Sequence, residues 1–139
     1  MHSRNLRPLR ASASRQAEGG EDVNIPGFVS NVEMVWEQPQ LAHFLARAAR
    51  EFRVIIFDRR GVGLSDRTLE RPSMATAVSD VLAVLDAAGS KRAVVFGASE
   101  GGPVAIQLCC AHPRRVAGLC LYAALPSAPR CSHTSTTCG

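Results

Sequence analysis

Apolar positions along the chain alternate between two patterns. Short dense runs occur at Val23-Asn-Ile25, Arg53-Val-Ile-Ile-Phe57, Val94-Val95-Phe96 and Val116-Ala-Gly-Leu-Cys-Leu-Tyr122. Their β-branched and aromatic content predicts strands. The second run is apolar after its first residue, as parallel strands covered on both faces are. Between the runs, apolar residues recur three and four apart. Leu41, Phe44, Leu45 and Ala48 form one such stripe; Met74, Ala77, Val78, Val81, Leu82 and Leu85 form a second; Val104, Ala105, Leu108 and Cys109 form a third. That spacing predicts three helices, each burying one face.

Local punctuation agrees with these boundaries. Pro39 suits the first turn of the first helix, Ser73 can cap the second, and Gly89 can end it. The third helix should stop near His112-Pro113, because a helix disfavours the residue before proline. The order is β-α-β-α-β-α-β. Three helical crossovers imply an α/β fold, a parallel sheet of about four strands with helices on both faces. Residues 1–21 carry Arg, Ser, Ala and Gly without apolar period and are expected to be an unstructured extension or sequence that does not belong to the family domain. Their composition is also that of a mitochondrial-type presequence. Residues 22–125 form the expected domain, and 126–139 an aperiodic tail.

Composition narrows the function classes. Of 139 residues, 46% are hydrophobic and 20% charged, which fits a globular protein with a real core. The net charge of +4 comes from scattered arginines, with Lys91 the only lysine, and no basic face interleaved with aromatics emerges. Nucleic acid is therefore not an expected partner. No apolar run approaches the ~18–20 residues of a membrane span. Five cysteines, an odd number, with no secretory leader before them, point to free thiols in a cytoplasmic protein. Cys109, Cys110 and Cys120 lie on apolar elements and read as packing residues. Cys131, His133 and Cys138 lack paired ligand spacing, so no metal or other cofactor is expected.

The candidate chemistry lies between the third strand and the third helix, in Gly97-Ala98-Ser99-Glu100-Gly101. A Gly-x-Ser-x-Gly in a strand–turn–helix context is a nucleophile elbow. The sharp turn lifts a serine hydroxyl off the sheet's end, and small residues at Gly97 and Gly101 allow strand and helix to approach. The Glu100 N–H, at the helix N-terminus, can donate to a developing oxyanion. A second donor must come from a neighbouring loop, and Phe28 N–H, in Pro26-Gly27-Phe28 after the first strand, is the candidate. Gly61-Val-Gly63 lacks the third glycine and immediate helix of a dinucleotide loop and reads as structural.

Taken together, Pro26-Gly-Phe28, Phe57-Asp-Arg-Arg-Gly-Val-Gly-Leu-Ser65 and Phe96-Gly-Ala-Ser-Glu-Gly-Gly-Pro103 resemble the α/β-hydrolase fold family. Within it, they are most similar to the hydrolase-like domain fused to some bacterial adenylate/guanylate cyclases. The resemblance implies that Ser99 is the nucleophile, that Phe28 and Glu100 supply the oxyanion hole, and that a small-molecule ester is the substrate. It also implies that the first strand lies beside the elbow strand. The family's chain order is Ser, then acid, then His. Here no Asp or Glu follows Glu100, and only His112 and His133 follow Ser99. His112 is about 20 Å from Ser99 along a helix rising ~1.5 Å per residue, too far to act as base. The expectation is therefore the central part of a hydrolase fold, lacking flanking strands and cap, with negligible esterase activity by itself. A non-catalytic sensory or ligand-binding module of a cyclase-type protein remains the alternative.

Overall fold

The computed structural model describes residues 11–13, 21–25, 31–66 and 72–124. Five strands form one sheet: β1 (Ala11–Ala13), β2 (Glu21–Ile25), β3 (Arg53–Phe57), β4 (Ala93–Ala98) and β5 (Val116–Tyr122). Their spatial order is β1-β3-β2-β4-β5. The pairs β2–β3, β2–β4 and β4–β5 are parallel, and β1 is antiparallel to β3. Three helices make the crossovers: α1 (Pro39–Ala48), α2 (Met74–Ala87) and α3 (Gly101–Ala111).

The two faces of the sheet are covered by different helices. Ile55 and Phe57 of β3, with Ala93 and Val95 of β4, pack with Val78, Val81, Val84 and Leu85 of α2 and with Val104, Ala105 and Leu108 of α3. Val54 and Ile56 point the other way and pack with Leu45 of α1. Alternate residues of one strand thus enter opposite layers, as the period-2 geometry of a strand requires. On the α1 side, Phe44 reaches Phe96 of β4, ring centroids 5.4 Å apart.

The predicted helix signals act as written. Pro39 occupies the first turn of α1, Ser73 Oγ accepts the Thr76 N–H at 3.1 Å, and Gly89 follows α2 with φ +71°. β2 lies beside β4, with Ile25 opposite Gly97. The chain moves from β2 outward to β3 and then to β4 on the other side of β2. This reversal creates a switch point at the C-terminal ends of β2 and β4, where open α/β sheets bind ligands.

Four expectations need correction. Residues 1–21 were expected to lack regular structure, yet Ala11–Ala13 pair with Phe57, Ile56 and Ile55. An edge strand of small residues takes its stability from backbone pairing and carries no apolar period, so nothing in the pattern reveals it. Phe44 is 44% exposed rather than core, because α1 buries Leu45 and leaves Phe44 on its flank. Met74, at the first position of α2, is likewise exposed. Finally, the cysteines are not uniformly buried thiols: Cys120 is exposed, and Cys110 is disulfide-bonded. Along β5, an edge strand, Leu119, Leu121 and Tyr122 are also exposed. None of the helices among the described residues is long and apolar enough to cross a membrane.

Leu108 is fully buried where α3 meets the sheet. Leu108→Ala should destabilise the chain by about 2–5 kcal/mol, the usual cost of a buried Leu truncation, read as a lower urea midpoint at unchanged slope.

Candidate active site

The chain turns from β4 into α3 within one residue. Ser99 is forced to φ +48°, a left-handed conformation that costs a residue with a Cβ about 1–2 kcal/mol. Two backbone hydrogen bonds hold it there. Ser99 N–H donates to Tyr122 O of β5 at 2.9 Å, and Gly102 N–H donates to Ser99 O at 3.0 Å. One fixes the residue to the sheet and the other starts the helix.

Close packing makes this turn possible. A Cβ on Gly97 would lie 2.8 Å from Ala105 Cβ, 3.0 Å from Gly102 Cα and 3.1 Å from Gly101 O. These are neighbours on α3 that cannot swing away, so a side chain at position 97 would push helix and strand apart. A Cβ on Gly102 would overlap Ala124 Cβ, just beyond β5. The expected pair of small positions was Gly97 and Gly101. Gly101 is the buried first residue of α3, and Gly102 beside it is a further tight position. The Gly101-Gly102 doublet was the available signal, although its meaning depends on Ala124, whose approach the sequence does not reveal.

Glu100 is the N-cap of α3, and its side chain makes no capping hydrogen bond. Its N–H precedes the intrahelical ladder, in the positive end of the helix dipole. The carboxylate instead reaches Arg59 Nη2 at 3.4 Å, with side-chain exposures of 20% for Arg59 and 42% for Glu100. A pair this open contributes at most about 1 kcal/mol to stability.

Arg59 belongs to the loop after β3, which is organised around Asp58. That carboxylate is fully buried. Its Oδ2 accepts the Leu64 N–H at 2.9 Å and the Val32 N–H at 3.3 Å. Ser65 Oγ donates to the Asp58 carbonyl at 2.7 Å. Gly61 and Gly63 adopt φ +80° and +57°, so the Gly-x-Gly serves tight turns rather than a phosphate. The next residue, Arg60, anchors the loop to α2 through Asp80, with Nε–Oδ2 at 3.1 Å and Nη2–Oδ1 at 2.6 Å. The hydrogen bond to Asp80, then its charge, raise the Arg60 pKa above the ordinary arginine value; burial opposes this and Asp66 adds a smaller push upward. Asp80 is buried on α2, at a position the apolar stripe gave no reason to single out.

Of the other expected residues, Phe28 lies outside the described residues, together with Pro26, Gly27, Cys131, His133 and Cys138. β2 delivers the chain to this region directly beside the elbow, since Ile25 is opposite Gly97. His112 caps the far end of α3, a helix length from Ser99. Among the described residues, no group of three or more His, Cys, Asp or Glu side chains could hold a metal ion.

The geometry assembles a serine on a strained turn, a helix N-terminus behind it and a fixed charged loop beside it. Comparison with known proteins gives this arrangement its family. The model for the alpha/beta hydrolase fold matches residues 23–135. The chain belongs to the α/β-hydrolase fold family. A Variovorax paradoxus protein named as a carbamate hydrolase, RutD, is 36% identical over 115 residues, covering 82% of this chain and 41% of that protein. A Streptomyces lividans non-heme chloroperoxidase is 39% identical over 92 residues, covering 66% of this chain and 32% of that protein. Among solved structures, a hydrolase from Pseudomonas aeruginosa superposes with a TM-score of 0.72 at 29% identity, covering 82% of this chain and 41% of that one. Est816, described as an N-acyl homoserine lactone degrading enzyme, gives 0.68 at 31% identity, covering 84% and 42%. The chain spans less than half the length of each of these relatives.

Gly97→Ala tests the packing at the turn. The added methyl should destabilise the fold by about 1–3 kcal/mol, the usual overpacking cost, seen as a lower urea midpoint. Gly89→Ala, with open space around its Cβ but φ +71°, should lose only the smaller cost of a left-handed alanine.

Proposed function

We propose that this chain carries the nucleophile half of a serine hydrolase acting on carboxylic esters or related acyl bonds of small molecules, with Ser99 as nucleophile. The observation that carries the reading is the φ of +48° at Ser99, on a turn whose neighbours tolerate no side chain at Gly97. Strained conformations cluster where chemistry needs a group presented, and here the strained residue carries a hydroxyl. Named hydrolases among the relatives support the same reading.

In the proposed reaction, Ser99 Oγ attacks an acyl carbonyl carbon and its proton must pass to a base. The carbonyl oxygen becomes an oxyanion beside the Glu100 N–H, where the dipole of α3 favours negative charge. Phe28 N–H is the proposed second donor, from the loop that β2 delivers next to the elbow. Collapse of the tetrahedral species expels the alcohol and leaves an acyl-serine for water to cleave. The described residues place no base at Ser99, and oxyanion stabilisation with binding alone supplies a small part of full triad catalysis. The alternative, a ligand-binding module of a cyclase-type signalling protein, is favoured by no observation of the fold.

The 139-residue chain incubated for hours with a fluorophosphonate should acquire one adduct, mapped by mass spectrometry to Ser99 and absent from Ser99→Ala. Its steady-state turnover of p-nitrophenyl acetate should match that of Ser99→Ala, because the described residues place no base at Ser99. An unlabelled Ser99, or an adduct elsewhere, would sink the serine-nucleophile reading.

A further inference from the structure

The residue that follows the candidate nucleophile is an acid. Glu100 carries its carboxylate at the N-cap of α3, where the side chain makes no capping hydrogen bond. The same residue's N–H is the proposed oxyanion donor, so one residue both attracts and repels the transition state. At the N-terminus of α3 a carboxylate is favourable to the helix, but an unscreened one opposes an oxyanion. Arg59 stands against that carboxylate. Its Nη2 lies 3.4 Å from Glu100 Oε2.

The two partners come from loops after β3 and β4, strands that are not adjacent. β2 lies between them, so the pair crosses the C-terminal end of β2, beside the Ile25–Gly97 register point. Arg59 is itself held in place by its neighbours on the chain. Asp58 is buried and bonded to Leu64 and Val32, and Arg60 is clamped to Asp80. The adjacent arginines thus have separate tasks, Arg60 toward α2 and Arg59 toward the elbow. A guanidinium on such a rigid loop can hold a carboxylate at a fixed place without depending on the pair's own small stability.

We propose that Arg59 is a positioning residue for chemistry at Ser99: it holds and neutralises the Glu100 carboxylate so that an oxyanion can form beside the Glu100 N–H. This rests on the serine-hydrolase reading above.

Phenylboronic acid provides the test, because it needs no base on the protein. Ser99 Oγ adds to the trigonal boron, forming a B–O bond; the serine proton leaves to water, and a tetrahedral boronate anion remains. Affinity is measured by titration with boron NMR as the signature of the tetrahedral adduct. The wild-type chain should form an adduct that Ser99→Ala lacks. Arg59→Gln should weaken it roughly tenfold, the order expected for one uncompensated nearby charge. Glu100→Gln should bind at least as well as wild type, and Arg59→Gln/Glu100→Gln should recover wild-type affinity within about twofold. The Arg59→Gln deficit should shrink in 1 M NaCl, where screening length falls to about 3 Å.

A purely structural arginine would give a double variant no better than Arg59→Gln and a deficit indifferent to salt; either result overturns the assignment. So does an Arg59→Gln that binds like wild type. Should far-UV circular dichroism find Arg59→Gln unfolded, Arg59→Lys replaces it: affinity close to wild type supports the charge role, and a tenfold loss overturns it. No Ser99 adduct in the wild-type chain overturns the hydrolase reading itself, and this assignment with it. A Ser99-dependent adduct that is insensitive to Arg59 overturns only the present inference.

Discussion

The close approach of strand β4 and helix α3 is the constraint on which the rest of the site depends. With no Cβ at Gly97, Ala105 can pack over the strand, and the chain can reverse within one residue. Within that reversal Ser99 takes a left-handed φ. The strain is confined by hydrogen bonds on both sides, one into the sheet at Tyr122 and one into the helix at Gly102. Neighbouring β5 is therefore part of the elbow's support as well as a strand of the sheet. Ala123, just after it, also has φ +48°, and Ala124 then packs against Gly102.

The second organising element is the loop between β3 and α2. A buried carboxylate at Asp58 gathers backbone N–H groups from two segments, which offsets part of the cost of removing its charge from water. Arg60 and Asp80 fasten the loop to α2. Arg59, between Asp58 and Arg60, reaches Glu100 at the elbow. The charges of this loop are thus divided between holding the scaffold and meeting Glu100, and their roles differ although the residues are adjacent.

Much of this was legible in the chain itself. Strand and helix order followed from hydrophobic period, because a strand buried on both faces and an amphipathic helix leave different spacings. The elbow was legible because Gly-x-Ser-x-Gly solves a local steric problem, and local problems leave local residues. Phe44 misled for the opposite reason: it has the right spacing, but Leu45 takes the buried position on α1 and Phe44 stays 44% exposed. Ala11–Ala13 left no signal, since backbone pairing at a sheet edge requires no particular side chain. The sequence likewise gave Asp80 no prominence, because its value comes from Arg60, twenty residues away.

The sequence by itself determined the fold family, the order of elements from β2 to β5 and the serine on its turn. Each follows from short-range sterics and from a hydrophobic period that a few neighbouring residues carry. Only the tertiary structure decided that Ala124 crowds Gly102 and which arginine faces the elbow. These depend on distances between segments far apart in the chain, and no local pattern records them. Glu100 shows the division within one residue. Its place after Ser99 is read from sequence, but its electrostatic effect depends on an arginine delivered from across β2.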